Sequence, residues 1–324
     1  MLRVCFSEER VSIRELQKSV EEVIFVGQAH RLGVFDDLSK SPCGSEEYAI
    51  RKNYDARVTL VLLEALVEMG YLEKQDATYH VTTSCTQRLV ERGGAVYEGD
   101  FWQFLYYLIN PWRTLEHVLK EGKPDKASYR DFNMDNFIRG MDSPWKKKVA
   151  PEIVRLCLDA CPGAKTVADI GGAPGTIARV FASHGLRTIV YDLKDSNAVM
   201  RKELSALKNI IIEDGDATKE LPAGPYDIAF LGNLCHGQSP EDNGKIISMC
   251  HDRLSPGGIV AIFDNIRGLS SCGATLALHM ITQSPLGNVY SENEYRAWIA
   301  HAGFRDPRVL RLTDPAWQLV IARK

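Results

Sequence analysis

The chain has 324 residues, 45% apolar and 25% charged, with a formal net charge of −3; this is an ordinary globular composition, longer than one core of ~100–200 residues needs. So small a charge gives no global pull toward nucleic acid or anionic lipid, no apolar run approaches the ~20 residues of a membrane span, and Met1 to Arg10 lack the apolar core of a signal peptide, so a cytoplasmic protein with no membrane partner is expected. The eight cysteines are scattered without Cys-x-x-Cys or zinc spacing and read as reduced thiols with no metal site; Cys157 and Cys161, on one helix face, are assigned to packing, with a metal pair as the alternative.

From Ser12 to Leu38, Ile13, Leu16, Val20, Val23, Ile24, Ala29, Leu32 and Phe35 recur at helical spacing, broken at Gly33, and predict two short helices. Ala56 to Gly70 reads as an amphipathic helix, and Tyr71–Lys74 with Tyr79–Thr82 as a hairpin around Gln75-Asp76-Ala77. Helices followed by a hairpin make a winged-helix-like unit, which raises a DNA-binding regulator as a rival. The helix that enters a groove should carry clustered Arg and Lys, and this one offers Arg57 against Glu64 and Glu68, so no nucleic-acid partner is expected. The aromatic stretch Phe101–Leu108 is assigned mainly to core packing, with the remaining rings free to face a flat substrate. After a loop at Gly122–Asp125, Phe132, Phe137 and Met141 fall on spaced helical turns, and Lys146-Lys147-Lys148 reads as a solvated helix face.

Beyond Pro151 strands and helices alternate, which implies a parallel sheet covered on both faces. Strands are predicted at Thr166–Ile170, Arg187–Asp192, Asn209–Glu213, Tyr226–Leu231 and Gly258–Asp264, with a last helix at Glu292–Ala302 opened by a Ser291/Glu294 capping box. The final strands, Arg308–Leu312 and Trp317–Ala322, are too close for a crossover and must be antiparallel. Ligands in such sheets sit at the carboxyl ends of the strands. Those tips carry Asp169 to Gly175, Asp192-Leu193, Asp216-Ala217, Asn233 to His236 and Asp264.

The tip of the first of these strands turns through Gly171-Gly172-Ala173-Pro174-Gly175 into a helix, and Asp192 ends the next strand 21 residues beyond Gly171, about where a nucleotide-binding fold holds a ribose hydroxyl (~20 residues on). The glycine spacing does not fit Gly-x-Gly-x-x-Gly, and no Gly-Lys-Ser/Thr follows. Asp169 at the tip would repel phosphate and suits a cationic amino-acid end, as in S-adenosylmethionine; a plain strand-to-helix turn is the alternative.

This loop resembles motif I of the class I S-adenosylmethionine-dependent methyltransferases. Together with Gly27–Asp36, Leu62–Leu72, Tyr79–Thr82 and the closing antiparallel pair, the chain resembles the plant and bacterial small-molecule O-methyltransferases. The resemblance implies an α/β fold: a Rossmann-like seven-stranded methyltransferase sheet with an N-terminal, mainly helical winged-helix domain that pairs two subunits into a homodimer. It implies domains at residues 1–100, a substrate-lining helical linker at 101–150 and a catalytic domain at 151–324. S-adenosyl-L-methionine would be held by Asp169, Gly171, Gly172, Gly175, Asp192, Leu193, Asp216, Ala217 and Asn233, Asp192 taking the ribose and Asp216 the adenine amine, unless Asp216 only caps a turn. Phe137, Met141, His279 and Met280 would line a small, aromatic or otherwise apolar acceptor. His236 would deprotonate a hydroxyl, a task that suits an imidazole with its ordinary pKa of ~6.5, and Asp264 would orient it unless it merely ends a strand. The family histidine is typically followed by Asp-Trp, whereas Gly237-Gln238 follow here. Carbon or nitrogen methylation without a strong base, or a non-catalytic binding subunit, therefore stand as alternatives.

Overall fold

The computed structural model describes residues 11–324, so the signal-peptide reading of Met1 to Arg10 and the thiol of Cys5 lie outside the described residues. The chain divides into two compact units, Met1–Leu108 and Ile109–Lys324.

In the first unit Ser12 and Glu15 form a capping box that opens α1 (Ile13–Arg31). Gly33, at φ 78°, turns the chain into α2 (Val34–Lys40), a backbone conformation that a side chain disfavours. α3 (Ser45–Lys52) follows, unannounced by periodicity, then α4 (Ala56–Glu68), capped by the Asp55 carboxylate on the Val58 N–H. β1 (Leu72–Gln75) and β2 (Thr78–Val81) pair antiparallel about the turn Asp76-Ala77, as the hairpin reading requires, and a short turn of helix, α5 (Thr83–Cys85), comes next. Val26, Phe35, Leu38, Leu63, Leu66 and Tyr79 make the core. Buried His30 is fixed within it: the Gln103 amide meets Nδ1 at 2.8 Å, and Nε2 lies 3.0 Å from the Leu89 carbonyl. The aromatic stretch lies on α6 (Gly99–Trp112), where Phe104 and Tyr107 are buried and stacked at 6.2 Å.

The second unit begins with α7 (Leu115–Glu121), α8 (Met134–Met141) and α9 (Pro144–Ala160). Of the three lysines read as solvated, Lys147 and Lys148 are exposed, but Lys146 is only 7% exposed. Successive helical residues point ~100° apart, so three in a row cannot share one face, and packing turns Lys146 inward. The sheet then unfolds through β3 (Thr166–Ile170), α10 (Thr176–Ser183), β4 (Arg187–Asp192), α11 (Lys194–Ser205), β5 (Ile210–Asp214), β6 (Tyr226–Gly232), α12 (Pro240–Arg253), β7 (Leu254–Asp264), α13 (Gly273–Gln283), α14 (Glu292–His301), β8 (Arg305–Arg311) and β9 (Gln318–Arg323). Strand order is β5-β4-β3-β6-β7-β9-β8. β9 runs antiparallel to both its neighbours and the other pairs are parallel. β7 starts at Leu254, before the Pro256-Gly257 turn signal, because Leu254 already pairs with Tyr226 across a register shift.

One face of the sheet buries Ile170, Leu231 and Ile262 against α12 and α14, the latter contributing Tyr295, and the other buries Val167, Phe230 and Phe263 against α9 and α10, the latter contributing Phe181. Cys157 and Cys161 are free thiols in the second of these cores. Strand order reverses between β3 and β6, and their carboxyl ends flank the crevice where such sheets bind ligands. Among the described residues no helix is long and apolar enough to cross a membrane.

Candidate active site

β3 delivers Asp169 and Ile170 fully buried, and the chain leaves the sheet at Gly171, φ 69°. The Gly171 N–H donates to the Tyr191 carbonyl at 2.8 Å, tying the loop to β4. A Cβ at Gly172 would lie 2.6 Å from the Asp169 carbonyl oxygen, and one at Gly175, φ 84°, would meet Leu204 at 2.6 Å, so the loop closes this tightly only on glycine. Burial pushes the Asp169 carboxyl up to about 7; the Lys146 charge opposes that rise, neighbouring Asp192 adds to it, and the Ala178 N–H of α10 opposes it.

Asp192, at the end of β4, faces back across the loop. Its Oδ2 accepts from the Ala173 N–H at 3.0 Å and its Oδ1 from the Leu193 N–H at 2.7 Å. Burial raises its pKa and these bonds oppose the rise. Leu193 is exposed beside it. Asp216, beyond β5, is tied locally: Oδ1 accepts from the Thr218 hydroxyl at 2.7 Å and N–H at 3.0 Å, and Oδ2 pairs with Lys219 at 3.0 Å. Those contacts, the Thr218 hydroxyl first, hold its carboxyl below the usual range. This is the geometry of a turn cap, and Ala217 next to it packs on the core. Asn233, past β6, sits at φ 58° with its N–H on the Phe263 carbonyl, and its buried Oδ1 has no partner among the described residues.

Three residues on, His236 Nδ1 lies 2.7 Å from Asp264 Oδ1, with Asp264 at the tip of β7 only 1% exposed. Asp264 also accepts from the His236 N–H (3.2 Å), the Asn265 N–H (2.8 Å) and the Tyr295 hydroxyl (3.3 Å). With carboxylate oxygens on that side, His236 carries its proton on Nδ1 and presents Nε2 as an acceptor. His279, on α13, is close enough to His236 to feel its charge. Burial first, then His236, lowers the His279 pKa to about 4, which keeps the ring neutral. Its Nδ1 accepts from the Trp112 indole N–H at 2.8 Å, and an indole only donates. The single N–H proton of the neutral His279 ring is therefore on Nε2.

The tips thus bring together two groups: Asp169, the glycine loop and Asp192 with Lys146, and His236 and Asp264 with His279. Met280, half-buried, neighbours His279 on α13. Phe137 packs beside Ala173 and Met200, on the side of the glycine loop, and half-buried Met141 ends the same helix. Sequence reasoning missed Lys146, Trp112 and Tyr295. The first was hidden in a lysine run, and the others contact their partners only after the chain folds back from far along the sequence.

A family model described as an O-methyltransferase domain matches residues 116–305, more than half of the chain. The tetracenomycin polyketide synthesis 8-O-methyl transferase TcmO of Streptomyces glaucescens is 25% identical over 315 residues, 91% of each chain. The acetylserotonin O-methyltransferase of Bos taurus is 25% identical over 338 residues, 94% of each. Among solved structures, PigF with SAH superposes at a TM-score of 0.79 with 21% identity, covering 97% of this chain and 100% of that one. Human N-acetylserotonin methyltransferase in complex with SAM gives 0.76 with 18% identity, covering 98% and 99%.

The Asp169 environment makes a prediction for the unliganded chain. In the folded chain Asp169 keeps its proton up to about 7, whereas an unfolded Asp loses it near ~3.9. The native state binds the extra proton, so this group weakens stability as pH rises through that window. Asp169→Asn should therefore gain on the parent by ~2–4 kcal/mol between pH 4 and pH 7.5 in urea denaturation. A difference constant with pH would put the carboxyl at its ordinary value.

Proposed function

Because the chain belongs to the O-methyltransferase family of S-adenosylmethionine-dependent enzymes that act on small molecules, we propose that it methylates a hydroxyl group on a small aromatic or otherwise apolar acceptor, with His236 as the general base. The observation that carries this reading is the His236–Asp264 pair at 2.7 Å, which occupies Nδ1 and leaves Nε2 without a partner among the described residues.

The tips of β3, β4 and β6 fit the methyl donor. Asp169 and Asp192 are acceptors suited to a cationic, ribose-bearing ligand, the glycines leave backbone exposed to its methionine part, and Asn233 Oδ1 is a buried acceptor still lacking a donor among the described residues. When bound, S-adenosylmethionine supplies a methyl group already activated on a sulfonium, so most of the acceleration falls to positioning. Asp192, with two sites taken by backbone N–H groups, keeps lone pairs for the ribose hydroxyls, and Asp216 keeps capacity for the adenine amine. Gly171, Gly172 and Gly175 approach the methionine part, with Leu193 and Ala217 flanking the nucleoside. His236 Nε2 takes the acceptor's proton, and Asp264 stabilises the imidazolium that forms. Neutral His279 offers its Nε2–H to orient the acceptor oxygen, while Met280, Phe137 and Met141 supply apolar wall.

The first unit is read as the dimerisation element of a cytoplasmic enzyme that has neither nucleic acid nor membrane as partner. Supporting this, Ile13, Leu16, Val20 and Phe25 on α1 and Val58 and Val61 on α4 are exposed apolar residues, and α4 sets Glu64 and Glu68 against its one Arg57.

Three outcomes are expected. Asp192→Ala should weaken adenosylmethionine binding in calorimetry by roughly ten- to a hundredfold; equal affinity would remove Asp192 from the donor site. His236→Ala should lower kcat by ~10²–10⁴-fold at pH 7 with donor affinity kept, and an unchanged rate would exclude it as the base. Sedimentation at micromolar concentration should give a dimer, and a clean monomer would refute the pairing alone.

A further inference from the structure

The first turn of α9 holds two buried polar side chains that the mechanism does not use. Ser143, the N-cap, is 4% exposed and Lys146, three residues on, is 7% exposed. Both stand at the same end of α9, Ser143 just before its first residue and Lys146 within its first turn. An N-cap serine ordinarily accepts from an N–H of its own first turn. Ser143 makes no such bond, and its buried Oγ has no partner at all among the described residues.

Lysine is almost never buried without a partner. Lys146 makes no hydrogen bond or close ion pair among the described residues. Burial lowers its pKa, and the charges of Asp169, Asp142, Asp264 and Asp192 oppose that fall; three of these acids stand at the carboxyl ends of the strands, so its head group lies toward the ligand crevice. Three of these carboxylates already have donors of their own. Asp142 serves Thr176, Arg179 and Lys147 at 2.6, 3.2 and 3.2 Å; Asp192 holds Ala173 and Leu193; Asp264 holds His236. A long helix adds the positive end of its dipole at the same point. A buried lysine head near Asp169, with an unpartnered hydroxyl and a helix start one turn before it, makes a site for an anion next to a site for a cation. The methionine end of the donor is such a pair, a carboxylate and an ammonium on one carbon.

We propose that Lys146 and Ser143 anchor the carboxylate of the methionine portion of S-adenosylmethionine, while Asp169 receives its ammonium, so that this turn of α9 selects for a ligand with an intact amino-acid end. The proposal rests on the donor site described above and adds to it a recognition element for one end of the ligand.

Calorimetry with two probes tests it: S-adenosylhomocysteine, which keeps the carboxylate and ammonium, and 5′-methylthioadenosine, which keeps the nucleoside and thioether but has neither. Lys146→Met should weaken S-adenosylhomocysteine binding on the order of ten- to a hundredfold and leave 5′-methylthioadenosine unchanged. Lys146→Arg should recover most of the loss, and Ser143→Ala should show a smaller loss confined to the same probe. Methionine in place of a buried ammonium should leave the unliganded chain at least as resistant to thermal denaturation as the parent, so a folding defect is visible separately. The anchor is overturned if Lys146→Met binds S-adenosylhomocysteine as tightly as the parent, or loses both probes in equal proportion. Failure of the parent to bind either probe would instead sink the donor site, and that result appears before any variant is made.

Discussion

Burying carboxylates at the ends of parallel strands is the constraint on which this molecule turns. Asp192 and Asp264 end β4 and β7 and Asp169 is the last residue but one of β3, and the reversal of strand order between β3 and β6 gathers those ends around one crevice. Like charges out of water repel and lose hydration, so each needs compensation. Asp264 gets it from four donors, Asp192 from two backbone N–H groups, and Asp169 from one N–H and the field of Lys146. Asp169 is the least compensated, and its carboxyl is held up to about 7. A ligand that brings positive charge relieves this frustration, which is why an acidic crevice suits a sulfonium amino acid better than a phosphate.

The histidine loop shows how a departure from a family pattern is absorbed. Gly237 and Gln238 stand where the resemblance calls for Asp-Trp, yet His236 is not left loose. The Asn243 amide donates to the Cys235 carbonyl at 3.0 Å, the Asn288 N–H to the His236 carbonyl at 2.9 Å, and the Tyr290 hydroxyl to the Gln238 carbonyl at 2.5 Å. Donors from α12 and from the segment before α14 hold the loop by its backbone carbonyls, so the ring's position relies on no side chain at 237 or 238. On the opposite side His279 is fixed by Trp112, 167 residues away in sequence. Two imidazoles with opposite free faces result, one an acceptor and one a donor.

What the sequence determined by itself is everything set by local chemistry. The glycine loop, the acids at the tips of β3 and β4, the hairpin about Asp76-Ala77, the Ser291/Glu294 capping box and the antiparallel last pair were legible because each depends on a few adjacent residues or on an alternation of two or 3.6. α3 escaped notice because only Tyr48 and Ala49 of its eight residues are buried, too few to show a period. Tertiary structure alone decided which of three adjacent lysines faces inward, that Asp192 clasps the glycine loop through Ala173, that Asp216 is spent largely on its own turn, and that His236 meets Asp264. Those outcomes depend on the angle at which a helix packs and on strands that lie far apart along the chain, and neither quantity is written in any short stretch of residues.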